Sequence, residues 1–443
     1  MASAIAENVG RFFYVVNPNT TTFESLEEVP NYVNDAIPFF AIFVILEWAI
    51  IWLKGEGSFR VGDSITSNAH GIVMETAKLA TKGIELIGYQ WLYDHRFLEL
   101  NWDSPVTWWT AALGADFAYY WFHRGVHEVN IAWASHQVHH SSEDYNLTTA
   151  LRQSIFQKYF SIGFYQPLAL LGVPLPALLV HNQFNLLYQF WIHTEIVDKC
   201  GPLEWIFNTP SHHRVHHGSN KWCLDKNYAG VLIIWDRMFG TFEPERDDEA
   251  IVYGLVDQPQ SFNATWLQVI YFRDVFRKMS KMESVGDKLR ALFYGPGWTP
   301  GAPRLGDLSG LPDKWPQRPK YDPQLSVWQQ IYIIVHYIVV VVVFQVLVQK
   351  LGEFSYLTAL LFMVFIFISI GTIGGMFDGW WWAPMLEAAR CIAYIAYARS
   401  TTVTGMPELD TILMAYMALS TIIWTAQSLN VVQAWATNEK KSL

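Results

Sequence analysis

The chain has 443 residues, 51% of them hydrophobic and only 16% charged, against the roughly 25% charged that soluble domains carry. Its net charge of −10 makes nucleic acid an unsuitable partner, and three scattered cysteines, Cys200, Cys223 and Cys391, exclude a disulfide framework or a thiolate metal site. With 21 tryptophans, a residue that collects where a ring lies half in lipid and half in water, the composition predicts an all-α, multi-pass integral membrane bundle.

The first 36 residues hold one basic residue, Arg11, and no apolar signal-peptide core, so no cleavable signal is expected and the segment reads as translocated. Ala36 to Leu53, interrupted by Glu47, is long enough to span a bilayer. Gly71 to Tyr93 carries Glu75, Lys78, Lys82 and Glu85 and admits two readings, a bundle-packed span or an amphipathic helix on the membrane surface. Pro105 to Phe122 is apolar and aromatic with one acid, Asp116. Tyr159 to His193 has room for two helices, with Gly172-Val-Pro-Leu-Pro176 as the break between them. Lys199 to Ser326 is polar and holds 16 of the 30 Lys and Arg residues, which assigns it to the cytosol. Val327 to Val348, Tyr356 to Met376, Trp382 to Ala398 and Leu409 to Ala434 return to the membrane; in lipid even the valine run Val339–Val343 must be helical to satisfy its backbone.

This order gives nine crossings, a lumenal N-terminus and a cytosolic C-terminus. The final Lys440-Lys441-Ser442-Leu443 resembles a dilysine retrieval signal, so the endoplasmic reticulum membrane is expected. The sequon Asn19-Thr20-Thr21 is then lumenal, whereas those at Asn146 and Asn263 face the cytosol. Four regions follow: 1–35 lumenal, 36–250 histidine-bearing and membrane-embedded, 251–326 cytosolic and connecting, 327–443 C-terminal membrane helices. For the last, packing, association between copies of the chain and substrate access all stay open.

Nine of the 14 histidines fall in three groups: His123 and His127; His136, His139 and His140; and His212, His213, His216 and His217. On a helix, positions i, i+3 and i+4 share a face, so each group presents imidazoles together. Eight of them (His123, His127, His136, His139, His140, His213, His216 and His217) make about the ligand set two metal ions need. Imidazole suits iron, zinc, copper and nickel alike, but three cysteine-free boxes beside membrane segments argue against a closed structural zinc site. His193, at the end of the hairpin, is a ninth candidate, with Gln189 one turn behind it; His212 is either a ligand or a donor behind the ligands. Glu128, Asp116, Glu143, Asp144, Glu195 and Asp236 are candidates to accept the imidazoles' outer N–H groups. Glu128 follows His127 directly and points about 100° away from that ligand's face, where it could instead meet a cofactor. His70, His95, His181 and His336 lie outside the boxes and read as packing or capping residues.

The order H-x3-H, H-x2-H-H, H-x2-H-H among membrane helices resembles the fatty acid hydroxylase superfamily, as do Asn227-Tyr-Ala-Gly230 and Trp235 to Thr241 after the third box. Trp121 to Ile131, Ser141 to Ser154, Phe184 to Glu195 and Asn208 to His217 are similar to its glyceryl-ether-cleaving branch, the alkylglycerol monooxygenases. That resemblance implies a di-iron centre on the eight box histidines, O2 as co-substrate, tetrahydrobiopterin as reductant, and an ether lipid (an alkylglycerol or a lyso-alkyl phospholipid) as substrate. It further implies that Glu128, which matches the acid after the first box, is required for activity and helps to place the pterin. Two other functions compete: a sterol or acyl-chain hydroxylase or desaturase with a cytochrome b5-type donor, and a histidine-lined metal transporter or sensor.

Overall fold

The computed structural model describes residues 2–55, 60–81, 84–312 and 318–439, and among them the chain is all-helical, with isolated bridges and no β-strand. In chain order the helices are α1 (Ala2–Phe12), α2 (Tyr32–Lys54), α3 (Val61–Ala80), α4 (Ile84–Tyr93), α5 (Pro105–Glu128), α6 (Asn130–His140), α7 (Gln157–Leu170) and α8 (Leu175–Trp191). They continue with α9 (Pro210–His217), α10 (Ile234–Phe239), α11 (Ala264–Ser280), α12 (Val285–Phe293), α13 (Val327–Lys350), α14 (Tyr356–Phe377), α15 (Ala383–Ala398) and α16 (Pro407–Glu439). Two compact units interleave along the chain. Met1–Arg60, Thr81–Pro259 and Ile270–Lys320 form the first; Val61–Ala80, Gln260–Val269 and Tyr321–Leu443 form the second.

In the first unit α5 is the central element. Ser104 caps its N-terminus by accepting from Val106 N at 3.2 Å, and Pro105 occupies the first turn, where no N–H is needed. Its small residues Ala111, Ala115 and Ala118 let α7 and α8 approach closely, packing Leu168, Ala169 and Leu178 against it. The turn joining α7 to α8 depends on Gly172, whose φ is +83° and where a Cβ would lie 2.2 Å from Leu98 O. On the other side of α8, Phe12, Tyr32, Val44, Phe184, Leu187 and Phe190 form a buried cluster with α1 and α2. Each such ring stabilises the fold by about 1.5–3 kcal/mol on burial.

In the second unit the apolar helices enclose a charged network. Buried Arg390 donates Nε–H to Glu387 Oε2 at 2.8 Å and Nη2–H to His336 Nδ1 at 2.6 Å. Tyr332 donates to Glu387 Oε1 at 2.6 Å, and Ser420 Oγ lies 3.2 Å from His336 Nε2. His336 is thus a packing and pairing residue, and so are His70, bonded to Gln268 at 2.7 Å, and His181, bonded to Tyr14 at 2.8 Å. His95 turns back to Trp91 O at 2.8 Å.

The helical segments fall where the apolar runs and breaks predict, with one exception. Gly71 to Tyr93 is not one helix: α3 ends at Ala80, α4 begins at Ile84, and the two belong to different units. Thr81, which follows α3, is a poor helix former, and α3 buries polar side chains (Asp63, Thr66, Ser67, His70, Thr76) that no lipid-facing helix would carry. By length and composition four described helices, α2, α13, α14 and α16, can cross a membrane, against the nine crossings expected. Helices α7, α8 and α15 have 14, 17 and 16 residues, about 21–26 Å at 1.5 Å per residue and short of a roughly 30 Å hydrocarbon core. Lys82 and the terminal Lys440-Lys441-Ser442-Leu443 lie outside the described residues.

Candidate metal centre

The three boxes occupy the last turns of α5, the C-terminal end of α6 and most of the short α9, within the first unit. They converge as two groups of buried imidazoles. His123, His127, His136, His140 and His216 make one, and His139, His193, His213 and His217 make the other, with ligand nitrogens in each group within 4.8 Å of one another. The partition follows helix geometry. Residues four apart stay together (His123 with His127, His136 with His140, His213 with His217), while the odd member of each H-x2-H-H box, His139 or His216, turns to the opposite group. His193, one residue beyond the C-cap of α8, completes the second group as its fourth imidazole.

In five of the rings hydrogen bonds fix which nitrogen faces inward. Nδ1 of His123 lies 2.7 Å from Tyr228 O, that of His139 3.1 Å from Arg152 O, that of His193 2.6 Å from Gln189 O and that of His216 2.9 Å from Lys226 O. Nδ1 of His136 lies 3.0 Å from Gln157 Oε1. A carbonyl oxygen only accepts, so each Nδ1 carries the proton and each Nε2 presents a lone pair. The inward nitrogens nevertheless stand close together: His123 Nε2 is 2.9 Å from His136 Nε2, and His193 Nε2 is 3.2 Å from His139 Nε2 and 3.1 Å from His213 Nε2. Nε2 of His127, His140, His216 and His217 is buried without a hydrogen-bond partner. Lone pairs facing each other across about 3 Å repel, and each unsatisfied buried nitrogen costs about 1–3 kcal/mol. A cation in each group removes both penalties, so the residues fit two metal ions.

Burial holds the rings neutral, as ligation requires. It lowers the His136 pKa to about 4 and that of His216 to about 3, and burial followed by neighbouring imidazoles depresses His139, His140, His213 and His217 well below the ordinary value.

The acids expected to orient the imidazoles do not touch them; backbone carbonyls take that part. Asp116 accepts from Val231 N at 2.8 Å, Leu232 N at 3.0 Å, Trp235 Nε1 at 2.9 Å and Asn185 Nδ2 at 2.8 Å. Asp236 accepts from Tyr228 N and Ala229 N, both at 2.8 Å, and from Thr241 Oγ1 at 2.7 Å. These two carboxylates pin the loop that supplies the Tyr228 carbonyl to His123, so they act one step further out. Glu143 and Asp144 pair with Arg60, Arg318 and Lys320 instead, and Glu195 bonds Tyr253. A carboxylate that stands beside a box imidazole is not among those expected from the sequence: Asp225 Oδ1 is 3.7 Å from His127 Nδ1. Asp225 and Asn227 both adopt positive φ, 58° and 55°, a conformation Asp and Asn tolerate better than most residues. That pair beside the third box was the available signal.

Gln189 lies outside both groups and serves His193 through its backbone, while its side chain donates to Asn185 Oδ1 at 2.5 Å. His212 also lies outside them; its ring packs edge-on against Phe242, and its backbone oxygen accepts from Asn227 Nδ2 at 3.0 Å. Glu128 is at the end of α5, paired with Arg124 at 2.7 Å and Arg304 at 3.0 Å.

Residues 108–241 match the family model for fatty acid hydroxylases, and residues 329–416 match the alkylglycerol monooxygenase C-terminal domain. Across 427 residues the chain is 44% identical to an alkylglycerol monooxygenase of Danio rerio, covering 96% of this chain and 95% of that protein. It is 42% identical to that of Homo sapiens over 429 residues, 96% of each. A shorter likeness, 36% over 129 residues, joins 29% of the chain to 39% of the ornithine lipid hydroxylase OlsE of Rhizobium tropici. No solved structure matches.

Proposed function

Because the chain belongs to the alkylglycerol monooxygenase family, we propose that it cleaves glyceryl ether lipids oxidatively, with O2, tetrahydrobiopterin and two iron ions. The alkyl carbon next to the ether oxygen is hydroxylated. One atom of O2 enters that C–H bond, and the second leaves as water with two electrons from the pterin. The hemiacetal then collapses, breaking the C–O bond to release a fatty aldehyde and a glycerol or lysolipid. Iron held by the two imidazole groups supplies the activation of O2. An all-nitrogen ligand set suits it.

The chain's own residues do the rest. Carbonyls of Tyr228, Gln189, Arg152 and Lys226 hold the Nδ1 protons of His123, His193, His139 and His216, which keeps the Nε2 atoms of those four rings aimed inward and basic. The nine rings are themselves buried, so water is excluded from the place where a strong oxidant acts. Glu128, held between Arg124 and Arg304 one residue beyond His127, is the group we assign to positioning the reductant.

The observation that carries this reading is the division of nine buried imidazoles into two converging groups. Its test is one purified sample assayed for iron and for aldehyde released from an alkylglycerol supplied with tetrahydrobiopterin. Two irons per chain and aldehyde formation are expected. An acyl hydroxylase would require a cytochrome b5-type donor and release no aldehyde, and a transporter would move metal without oxidising lipid; either result sinks the proposal. Glu128→Gln is expected to lose activity while keeping its iron.

We further propose the endoplasmic reticulum membrane, with the metal centre on the cytosolic side. Asn19 is exposed, and Thr21 beside it is held by Trp108 at the opposite end of α5 from His123. Glycosylation of Asn19 and its protection from external protease are expected; an N-terminus cleaved from the cytosolic side would reverse the orientation.

A further inference from the structure

Helix α12 is short, but its edge is unusual for a polar segment. Val285, Leu289 and Phe293, spaced by four, are 73%, 52% and 54% exposed, so three apolar side chains form one bare stripe. Phe276, near the end of α11, adds a fourth exposed apolar group. The flanking charge is net positive: between Arg273 and Arg290 six basic residues (Arg273, Arg277, Lys278, Lys281, Lys288, Arg290) outnumber three acids (Asp274, Glu283, Asp287) in a chain whose net charge is −10, and Arg273, Arg277 and Arg290 pair with Asp274 or Asp287 while Lys281 and Lys288 add to the excess. The helix is firmly formed. Ser284 caps it by accepting from Asp287 N at 2.9 Å.

The opposite edge is fastened to the metal-bearing part of the fold. Ala291 is buried, and Asn130, the first residue of α6, donates Nδ2–H to Ala291 O at 2.8 Å and its backbone N–H to Tyr294 O at 2.9 Å. The carbonyls at the C-terminus of α12 are therefore satisfied by the start of the helix that bears His136, His139 and His140. Helix α5 leads into the same corner. Its exposed apolar residues Val106, Trp109, Leu113 and Phe117 give way to Arg124 and Glu128 before Asn130.

We infer that α12 is an interfacial helix: Val285, Leu289 and Phe293 insert among the headgroups of an anionic lipid surface, and the surrounding lysines and arginines meet the lipid phosphates. An apolar stripe flanked by cationic residues is the chemistry that a bilayer surface recognises. An uncharged protein partner would leave the excess of positive charge without a counterpart. The contact sets α6 directly against the membrane in which the substrate of the proposed reaction dissolves, but the docking itself does not depend on that reaction.

The test uses full-length protein with Cys200→Ser and a spin label on Leu289→Cys, the other two cysteines being buried. It is placed in nanodiscs of phosphatidylcholine with or without phosphatidylserine. The label is expected to be open to O2 and shielded from a water-soluble nickel chelate, with shielding that rises with phosphatidylserine. Lys288→Glu is expected to lower the docked-to-undocked ratio on the order of fivefold or more. Val285→Ser with Phe293→Ser is expected to abolish the shielding. The inference is overturned if the chelate reaches the label as freely in nanodiscs as in detergent. Shielding indifferent to phosphatidylserine, or unchanged in the serine variant, also overturns it, as does shielding seen only when two copies of the chain share a nanodisc.

Discussion

The imidazoles of the two groups are arranged to be neutral, and this has a price in acid. In an unfolded chain each titrates near 6.5, whereas burial holds His136 near 4 and His216 near 3. Between those values the unfolded state binds protons that the folded state refuses, so stability falls as pH falls, by about 1.4 kcal/mol per pH unit for each such ring. For the metal-free protein we expect the midpoint of thermal unfolding to drop steeply from pH 6.5 to 4.5, and less steeply in His136→Gln. A flat profile across that window would mean the rings are not buried neutral. A second prediction concerns Asp236, which is fully buried and held by three donors. Asp236→Asn turns one accepting oxygen into a donor facing a donor and loosens the Tyr228 carbonyl behind His123. Metal affinity should fall about 10–100-fold, measured by competition with a chromogenic chelator; unchanged affinity would remove Asp236 from the orienting chain. The spacing of the boxes was enough to gather the histidines on paper, whereas their burial was not foreseeable from flanks as polar as Ser211 to Asn220. Nor was the choice of carbonyls over carboxylates, because a backbone oxygen leaves no trace in residue identity.

Helical periodicity explains why two metals, rather than one, suit this pattern. In α6 and in α9 alike, the i, i+4 pair serves one group and the remaining histidine serves the other, so adjacent residues such as His139 and His140 belong to different groups. The turn after α8 and the segment before α7 are tied by a residue far away in sequence. Buried Glu47 of α2 accepts from Thr194 Oγ1, next to His193, and from Leu147 N at 2.8 Å, at the start of the short helix Leu147–Leu151 that leads to the Arg152 carbonyl behind His139. Glu47→Ala should therefore disturb the four-imidazole group first. We expect metal content to fall from two ions towards one, with Glu47→Gln largely sparing it. Loss of both ions together, or of neither, would contradict this. A lone acid in a hydrophobic run marks Glu47 as unusual in the sequence, but its partners lie about a hundred or more positions away. The long apolar helices were legible because length and composition alone define them. The segment Gly71 to Tyr93 was not, since its mixed charges suit a surface helix, a packed span or, as found, two helices of different units.

At the scale of the whole molecule, each unit encloses a polar site in apolar surroundings, and breaking either site leaves buried polar groups without partners. In the second unit, Arg390→Met would strand the buried Glu387 carboxylate, a loss of about 3–5 kcal/mol. The pair of changes Arg390→Met and Glu387→Gln should recover most of it, read as the unfolding midpoint in detergent. Equal stability of the single variant and the parent would show that the network carries no charge. In the first unit, chelation should lower the unfolding midpoint and added Fe(II) should restore it at two ions per chain, since a ligand at 100 times its Kd stabilises by about 2.7 kcal/mol. A single equivalent sufficing would merge the two groups into one site. The partition of the boxes also imposes an order on biosynthesis. Neither group is complete until α9 exists: the five-imidazole group waits for His216, and the other gains His213 and His217 only then. At about 5–20 residues per second, the ribosome takes roughly 4–15 s to travel from His140 to His213. During that interval the nascent chain already carries four of the five imidazoles of the first group but at most two of the four of the second, so the first group is nearly assembled while the second must wait for α9.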